Sequence, residues 1–365
     1  MNVTIFTCAT GGGHNSTAAA IQSQLSAMGH TGIIHDALAF LPKSSAELIS
    51  KGHNFAYRYA PKLYGVGYRF EEKHPPTIFY EQSAKGADEL LRTLRTDGAD
   101  AAICVHVFPA MMVTELRRRG QLSIPAYFVA TDYTCSPGVG ELDMDGFCIP
   151  HEALMDEFTS CGVKRSLLYA TGIPVSPEFS QPMDRKALRH TLHLEDKRRI
   201  LVLACGSMGA GPMRTAAEKL AQNLSTDDKL IMVCGSNRRL YRYSKLALAE
   251  YPQVQVVGFT KRMPQYLHVC DVLITKAGGL TTTEAVAAGV PLVYLNAVPG
   301  CETRNLEFMS SRGYALVAED ETELPPLVRG LLSGAIDPAT MVRNREGTFP
   351  RHAAENICRM VCPQP

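Results

Sequence analysis

The sequence predicts an α/β fold: two Rossmann-like domains, each built on a parallel sheet. Three observations carry this expectation. A β-rich run, a glycine-bearing turn and a helical stretch alternate along the chain; the whole rhythm occurs twice; and 365 residues, 45% of them hydrophobic, supply apolar mass for two cores. The first series opens with a strand at 3–8 and turns through 10–14. It continues into 16–28, where Ala18, Ile21, Leu25 and Met28 recur at helical spacing. Further strands are expected at 32–35, 101–106 and 125–131. The second series opens at 200–204, turns through 205–212, and shows strands at 230–234, 254–257, 272–275 and 292–295. Between them Gly172, Pro174 and Pro177 stiffen the chain and break regular structure, which places the domain boundary there. The expected domains are 1–172 and 173–345, with 346–365 forming a helix that packs back on the first.

Charge and composition exclude several classes. The chain has 37 Lys+Arg against 36 Asp+Glu, so bulk electrostatics offers no basic surface for a nucleic acid. No run approaches eighteen consecutive apolar residues, and the apolar start is followed at once by glycines. The eleven cysteines include no C-x-x-C pair, which fits reduced thiols in a cytoplasm better than a disulfide frame or zinc site.

One segment departs from the rhythm. Residues 43–70 hold Phe55, Tyr57, Tyr59, Tyr64, Tyr68 and Phe70, interleaved with Lys51, Arg58, Lys62 and Arg69. Between 43 and 69 there are five Lys/Arg and one Glu, whereas residues 1–172 carry 14 Lys/Arg and 17 Asp/Glu. The positive charge is concentrated where the aromatics are. Rings that settle at the headgroup level beside cations that approach lipid phosphates make an interfacial segment; the alternative is a helical insertion with packed tyrosines and solvated cations.

Three glycine-rich turns follow strands and precede helices. In Thr10-Gly-Gly-Gly-His-Asn-Ser16, Gly11, Gly12 and Gly13 let a ligand approach bare backbone at a helix N-terminus. Ser16 occupies the third glycine position of a dinucleotide fingerprint, so an NAD site fails on spacing, although Asp36 stands where a ribose-binding acid would. His14, beside a helix N-terminus that discourages the imidazolium, is either a neutral base for an acceptor hydroxyl or a loop histidine bonded to backbone. The second turn, Gly206-Ser207-Met208-Gly209-Ala210-Gly211, suits a diphosphate but lacks the Lys-Ser/Thr of a P-loop; a tight turn without ligand is the alternative.

The third turn, Ile274-Thr-Lys-Ala-Gly-Gly-Leu-Thr-Thr-Thr-Glu284, is the most specific. Gly278 and Gly279 open a helix, Thr281 and Thr282 offer hydroxyls to phosphate oxygens, and Glu284 is expected in the first helical turn as a cap or a ribose acceptor. Pro299-Gly300-Cys301-Glu302-Thr-Arg304-Asn305 then forms a polar cluster after the next strand, where ligands of open α/β sheets bind. Asp143-x-Asp145 spells a D-x-D, a spacing common by chance and a weak metal signal. Motifs of zinc proteases and serine hydrolases are absent.

Taken in order, Thr10-Gly-Gly-Gly-His14, Ala130-Thr-Asp-Tyr133, Thr171-Gly-Ile-Pro174, Gly206-Ser-Met-Gly-Ala-Gly211, Val233-Cys-Gly-Ser-Asn237, Gly258-Phe259, Ile274-Thr-Lys-Ala-Gly-Gly279, Glu284 and Pro299-Gly300 resemble a known family. It is the GT-B glycosyltransferase group of monogalactosyldiacylglycerol synthases and processive diacylglycerol glucosyltransferases. The peptidoglycan N-acetylglucosaminyltransferase is a more distant relative.

The resemblance implies inverting, metal-independent transfer of a hexose from a UDP-sugar to diacylglycerol or a related lipid. It implies no cofactor, and a place on the cytoplasmic face of an anionic membrane. His14 matches the base. Gly12, Gly13, Gly206, Ser207, Met208, Gly209, Gly278, Gly279, Leu280, Thr281 and Thr282 match the diphosphate site; Gly235, Phe259 and Glu284 the uracil and ribose site; Pro299, Gly300, Cys301, Glu302 and Asn305 the donor sugar. The residues implied to meet acceptor and membrane are Phe55, Tyr57, Arg58, Tyr59, Lys62, Tyr64, Tyr68 and Arg69. Two positions depart from the pattern. Cys301 replaces a glutamine that bonds sugar hydroxyls, and Ser176 replaces an arginine near the diphosphate, for which Lys276 or Arg304 are the available substitutes. Transfer to an undecaprenyl-linked or soluble acceptor, and non-catalytic sensing of UDP-sugar, are the competing readings.

Overall fold

The computed structural model describes residues 1–8, 12–42, 77–194, 196–297 and 299–363. The aromatic and basic residues between Phe55 and Phe70, and Thr10 and Gly11 of the first turn, lie outside the described residues. The chain divides into two compact units: Met1–Ser176 with Pro299–Arg304 and Phe349–Pro365, and Pro177–Val298 with Asn305–Thr348.

The first unit holds a sheet of six parallel strands, β1 (Asn2–Thr7), β2 (Thr31–Asp36), β3 (Ala101–Cys104), β4 (Ala126–Val129), β5 (Gly146–Ile149) and β6 (Leu168–Ala170), in the order β2-β1-β3-β4-β5-β6. The second unit holds another, β7 (Arg199–Ala204), β8 (Asp228–Val233), β9 (Val254–Val257), β10 (Val272–Lys276), β11 (Leu292–Asn296) and β12 (Leu316–Val317), in the order β12-β11-β10-β7-β8-β9. Both match the fold class read from the sequence. Central strands β1, β3, β7 and β10 are buried almost throughout, whereas the edge strands β2, β9 and β12 are only half covered. A parallel sheet clad by helices on both faces demands this gradient.

Helix ends follow local chemistry. Asp184 and Asp337 accept the first backbone N–H groups of helices Arg185–Thr191 and Pro338–Arg345. Helix Ala87–Asp97 carries Asp88 and Glu89 in its first turn and closes on Gly98, whose φ of 56° is left-handed. After the second unit is complete the chain returns to the first. Ile357, Cys358 and Val361 of helix Ala353–Val361 share a core with Val3, Ile5, Ala18, Ile21 and Leu25. Gly172, at φ 88°, lets this returning segment approach; a Cβ there would lie 3.1 Å from that of Ala353 and 3.2 Å from that of Pro350.

Strand order then locates the sites. In the first sheet β2 lies on one side of β1 and β3 on the other, so winding reverses between β1 and β3. In the second it reverses between β7 and β10. At such a switch point the loops leaving two neighbouring strands diverge and open a crevice at their carboxyl ends.

Candidate active site

The crevice of the first unit is lined by two histidines. His14 is the third residue of helix Gly12–Ala27, which follows β1; His106 follows β3 and caps helix Val107–Arg118. Strand pairing of Phe6 with Cys104 brings the two loops together, and the imidazoles meet edge to face, centroids 4.7 Å apart at 73°. His106 accepts the N–H of Phe108 at Nδ1 (3.1 Å), which puts its own ring proton on Nε2. Phe108 packs 4.6 Å away on the same ring. Helix Gly12–Ala27 has no acid in its first turn, and His14 stands within that turn. His106 was read from the sequence only as the end of a strand, because contact across adjacent strands leaves no spacing signal.

The crevice of the second unit is a pair of interlocked turns and the N-terminus of one helix. The 206–211 turn needs left-handed backbone at Gly206, Gly209 and Gly211 (φ 71°, 54° and 95°). It is pressed against the turn after β8: a Cβ on Gly209 would lie 2.1 Å from the Cys234 carbonyl oxygen, and one on Gly235 would lie 2.2 Å from that of Ser207. Ser236 N–H donates to the Ser207 carbonyl at 2.8 Å and Asn237 Nδ2 to that of Gly209 at 3.0 Å. Gly235 and its neighbours therefore shape the 206–211 turn. Lys276, at the end of β10, lies alongside: its Nζ is 3.8 Å from the Cβ position of Gly206. That puts a cation at this turn within the second unit itself.

The helix after β10 runs Gly279–Ala287, with Gly278 at its N-cap and no side chain capping it. The N–H groups of Gly279, Leu280 and Thr281 precede the first intrahelical bond, Thr282 N–H to Gly278 O, and point outward as an anion cradle. Thr282 differs from expectation. It is fully buried and its hydroxyl bonds Tyr294 OH at 2.8 Å, so it anchors the helix to β11 rather than offering oxygen to phosphate. Asn305 is also buried and donates from Nδ2 to the Ala277 carbonyl at 2.9 Å, bracing the approach to Gly278. Glu284 falls in the second helical turn, past the capping position, and is half-buried. Burial pushes its carboxyl up to about 8. Phe259 stands at the end of β9 with its ring 69% exposed, and Gly258 beside it abuts Tyr241. Pro299, Gly300, Cys301 and Glu302 open helix Cys301–Ser310; Glu302 is buried and Cys301 half-buried.

Other sequence signals resolve into structure. Asp143 and Asp145 both pair with Arg117, and Asp145 accepts the Ala126 N–H at 2.7 Å; the D-x-D spacing serves an ion pair. Asp36 caps the 3₁₀ turn Ala37–Phe40 through the Leu38 N–H at 3.1 Å and does not stand ready for a ribose. Among the described residues no group of three or more His, Cys, Asp or Glu could hold a metal ion. All eleven cysteines are free thiols; only Cys161 is exposed.

Two Rossmann-like units, each a six-stranded parallel sheet with one switch point, are the components of the GT-B fold. Residues 14–175 match the family model of monogalactosyldiacylglycerol (MGDG) synthase and residues 200–344 that of the glycosyltransferase family 28 C-terminal domain. The chain thus joins one of these domains to the other. Processive diacylglycerol beta-glucosyltransferases of Bacillus subtilis (27% identity, 97% of this chain and 92% of that one) and Staphylococcus carnosus (24%, 98% and 91%) are similar along nearly their whole length. The MurG crystal structure of Acinetobacter baumannii shares the fold, with a TM-score of 0.62 at 18% identity over 99% of both chains.

Two outcomes follow. Gly235→Ala forces a Cβ onto the Ser207 carbonyl and should weaken UDP binding at least tenfold as well as lower the melting temperature. Gly29→Ala, also at positive φ (79°) but in open space, should cost about 1 kcal/mol with UDP affinity intact. Equal UDP affinity in both variants would separate the interlock from the site. For Glu284 the folded value, about 8, lies above the ordinary 4.5, so the folded state holds this proton longer than the unfolded chain and stability is lost as pH rises between those values. Glu284→Gln removes that loss. Melting curves of the two proteins should coincide near the low end and separate in favour of the variant toward pH 8; a constant gap would contradict the burial argument.

Proposed function

We propose that this protein is a hexosyltransferase that moves a hexose from a UDP-sugar to diacylglycerol or a related membrane lipid, with inversion and without a metal ion. The observation that carries the donor half is the switch point of the second sheet. There the 206–211 turn, the open N-terminus of Gly279–Ala287 and the Lys276 ammonium converge from β7 and β10. Fixed N–H dipoles and one cation can balance a diphosphate leaving group, a task many transferases give to a divalent ion. The similarity to diacylglycerol glucosyltransferases over almost the full length supports the lipid acceptor.

In this reading His14 takes the proton of the acceptor hydroxyl as its oxygen bonds the anomeric carbon, while the bond from that carbon to the diphosphate oxygen breaks and UDP departs. His106, its proton held on Nε2 by the helix cap and its ring wedged between Phe108 and His14, holds the plane of the base. Glu284 receives the ribose hydroxyls, and Phe259 and Gly235 border the uracil. Glu302 and Cys301 face the sugar, where Cys301 sets a hydroxyl preference different from that of a glutamine. Residues 55–69 meet the acceptor and the anionic membrane surface.

The histidine roles separate by mutation. His14→Ala should lower kcat by about 10²–10⁴ with UDP affinity retained. His106→Asn keeps an acceptor for the Phe108 N–H, so the fold should hold, while loss of the ring lowers kcat about tenfold at constant KM for the donor. A variant His106→Asn with full kcat would confine His106 to capping. The activity itself is tested with radiolabelled UDP-sugars and diacylglycerol in liposomes, with magnesium or with a chelator. Label should enter the organic phase equally in both arms; dependence on magnesium would overturn the metal-free mechanism, and no label from any donor would overturn the acceptor.

A further inference from the structure

Helix Arg238–Ala247 of the second unit turns an unusual face to water. Leu240 and Tyr241 pack inward on the core of that unit, joined by Leu248 just beyond the helix, and Ser244 is fully buried. The outward face carries Arg239, Arg242, Tyr243 and Leu246, spaced i, i+3, i+4 and i+7, so they form one stripe. Leu246 is 76% exposed and Tyr243 56%, among only five large hydrophobic side chains left so exposed in the described residues. Arg238 and Lys245 flank them, and residues 229–249 contain no Asp or Glu. The cations lean on rings instead: the Arg239 guanidinium lies 5.5 Å from the Tyr243 ring centre and the Lys245 ammonium 5.9 Å from that of Tyr241.

In a chain whose formal net charge is +1, four cations on ten residues are a local concentration rather than general basicity. A helix that merely keeps a protein soluble has no use for a leucine this exposed on its outward face. Cations ringing an aromatic and an aliphatic side chain suit a surface with anionic phosphates outside and hydrocarbon beneath. We infer that the outward face of helix Arg238–Ala247 is a contact surface for an anionic lipid bilayer. It is a second foothold, on the donor-binding unit, separate from residues 43–70. The inference deepens the lipid-acceptor reading and rests on it for its biological sense: an enzyme drawing its acceptor from a membrane gains from holding the donor unit to the same surface. A nucleic acid would engage the arginines and stack on the tyrosine but would leave Leu246 in water.

The test uses the full chain and sedimentation with vesicles of phosphatidylcholine, with or without phosphatidylglycerol. Arg239→Gln with Arg242→Gln should weaken binding to the phosphatidylglycerol vesicles about 30-fold, at about 1 kcal/mol for each cation, and leave UDP affinity unchanged. Tyr243→Ser with Leu246→Ser should weaken it about tenfold, again with UDP affinity unchanged. Wild-type binding by both double variants overturns the inference, as does a wild-type protein that ignores the charged vesicles. Loss in the arginine variant alone also overturns it, marking a general polyanion surface, which single-stranded RNA would then titrate. Transfer to diacylglycerol in detergent micelles is measured in parallel. Its absence would sink the acceptor reading while the vesicle comparison still decides the helix.

Discussion

A parallel strand cannot be followed by a tight turn into its neighbour, so each strand must leave the sheet, cross a face as helix and return. Where winding changes direction, two adjacent strands send their chains to opposite faces and no backbone fills the gap between them. Each sheet here has one such gap, and the two histidines of the first unit and the 206–211 turn with Lys276 in the second stand around it. His14 and His106 owe their contact to the pairing of β1 with β3. Lys276 owes its place beside Gly206 to the pairing of β10 with β7. The chemistry depends on strand adjacency before it depends on any side chain.

The open helix end of the second unit is built mostly from backbone. N–H dipoles at a helix end are already oriented and carry no counter-charge that must be stripped of water, so an anion would meet them at small reorganisation cost. The same economy explains the burial of Thr282 and Asn305. Their polar groups are consumed in fixing the cradle to Tyr294 and Ala277, and the cradle itself needs no side-chain oxygen. Glu284 is the contrast: a carboxyl held in a half-covered position, where burial favours its neutral form.

Much of this was legible in the sequence, and the failures have physical causes. Nine strands were read from β-rich runs bounded by glycine and polar residues. β5 has no counterpart in that reading, and neither do β6 and β12, whose three and two residues give no period to detect. The three glycine turns stood out because left-handed φ and close backbone approach restrict those positions to glycine. Glu284 was placed one turn too early, since a cap is defined by where the helix starts and sequence fixes that only to within a few residues. Thr282 faces inward because the helix N-terminus sits on β11, a fact of packing. His106 needed the strand order. Asp143 and Asp145 mimicked a metal motif and proved to be partners of Arg117, as spacing alone does not tell a cation from a guanidinium.

The returning segment has a consequence for how the molecule is made. The hydrophobic surface formed by Val3, Ile5, Ala18, Ile21 and Leu25 is covered by Ile357, Cys358 and Val361. During synthesis the earliest residues therefore wait, with an apolar flank open, while the entire second unit is translated and can close on its own core. The unit that emerges first is the last to be finished. A nascent chain stalled before residue 353 presents a complete second unit tethered to an unfinished first one, and chaperones would find their binding surface on the first unit rather than the second.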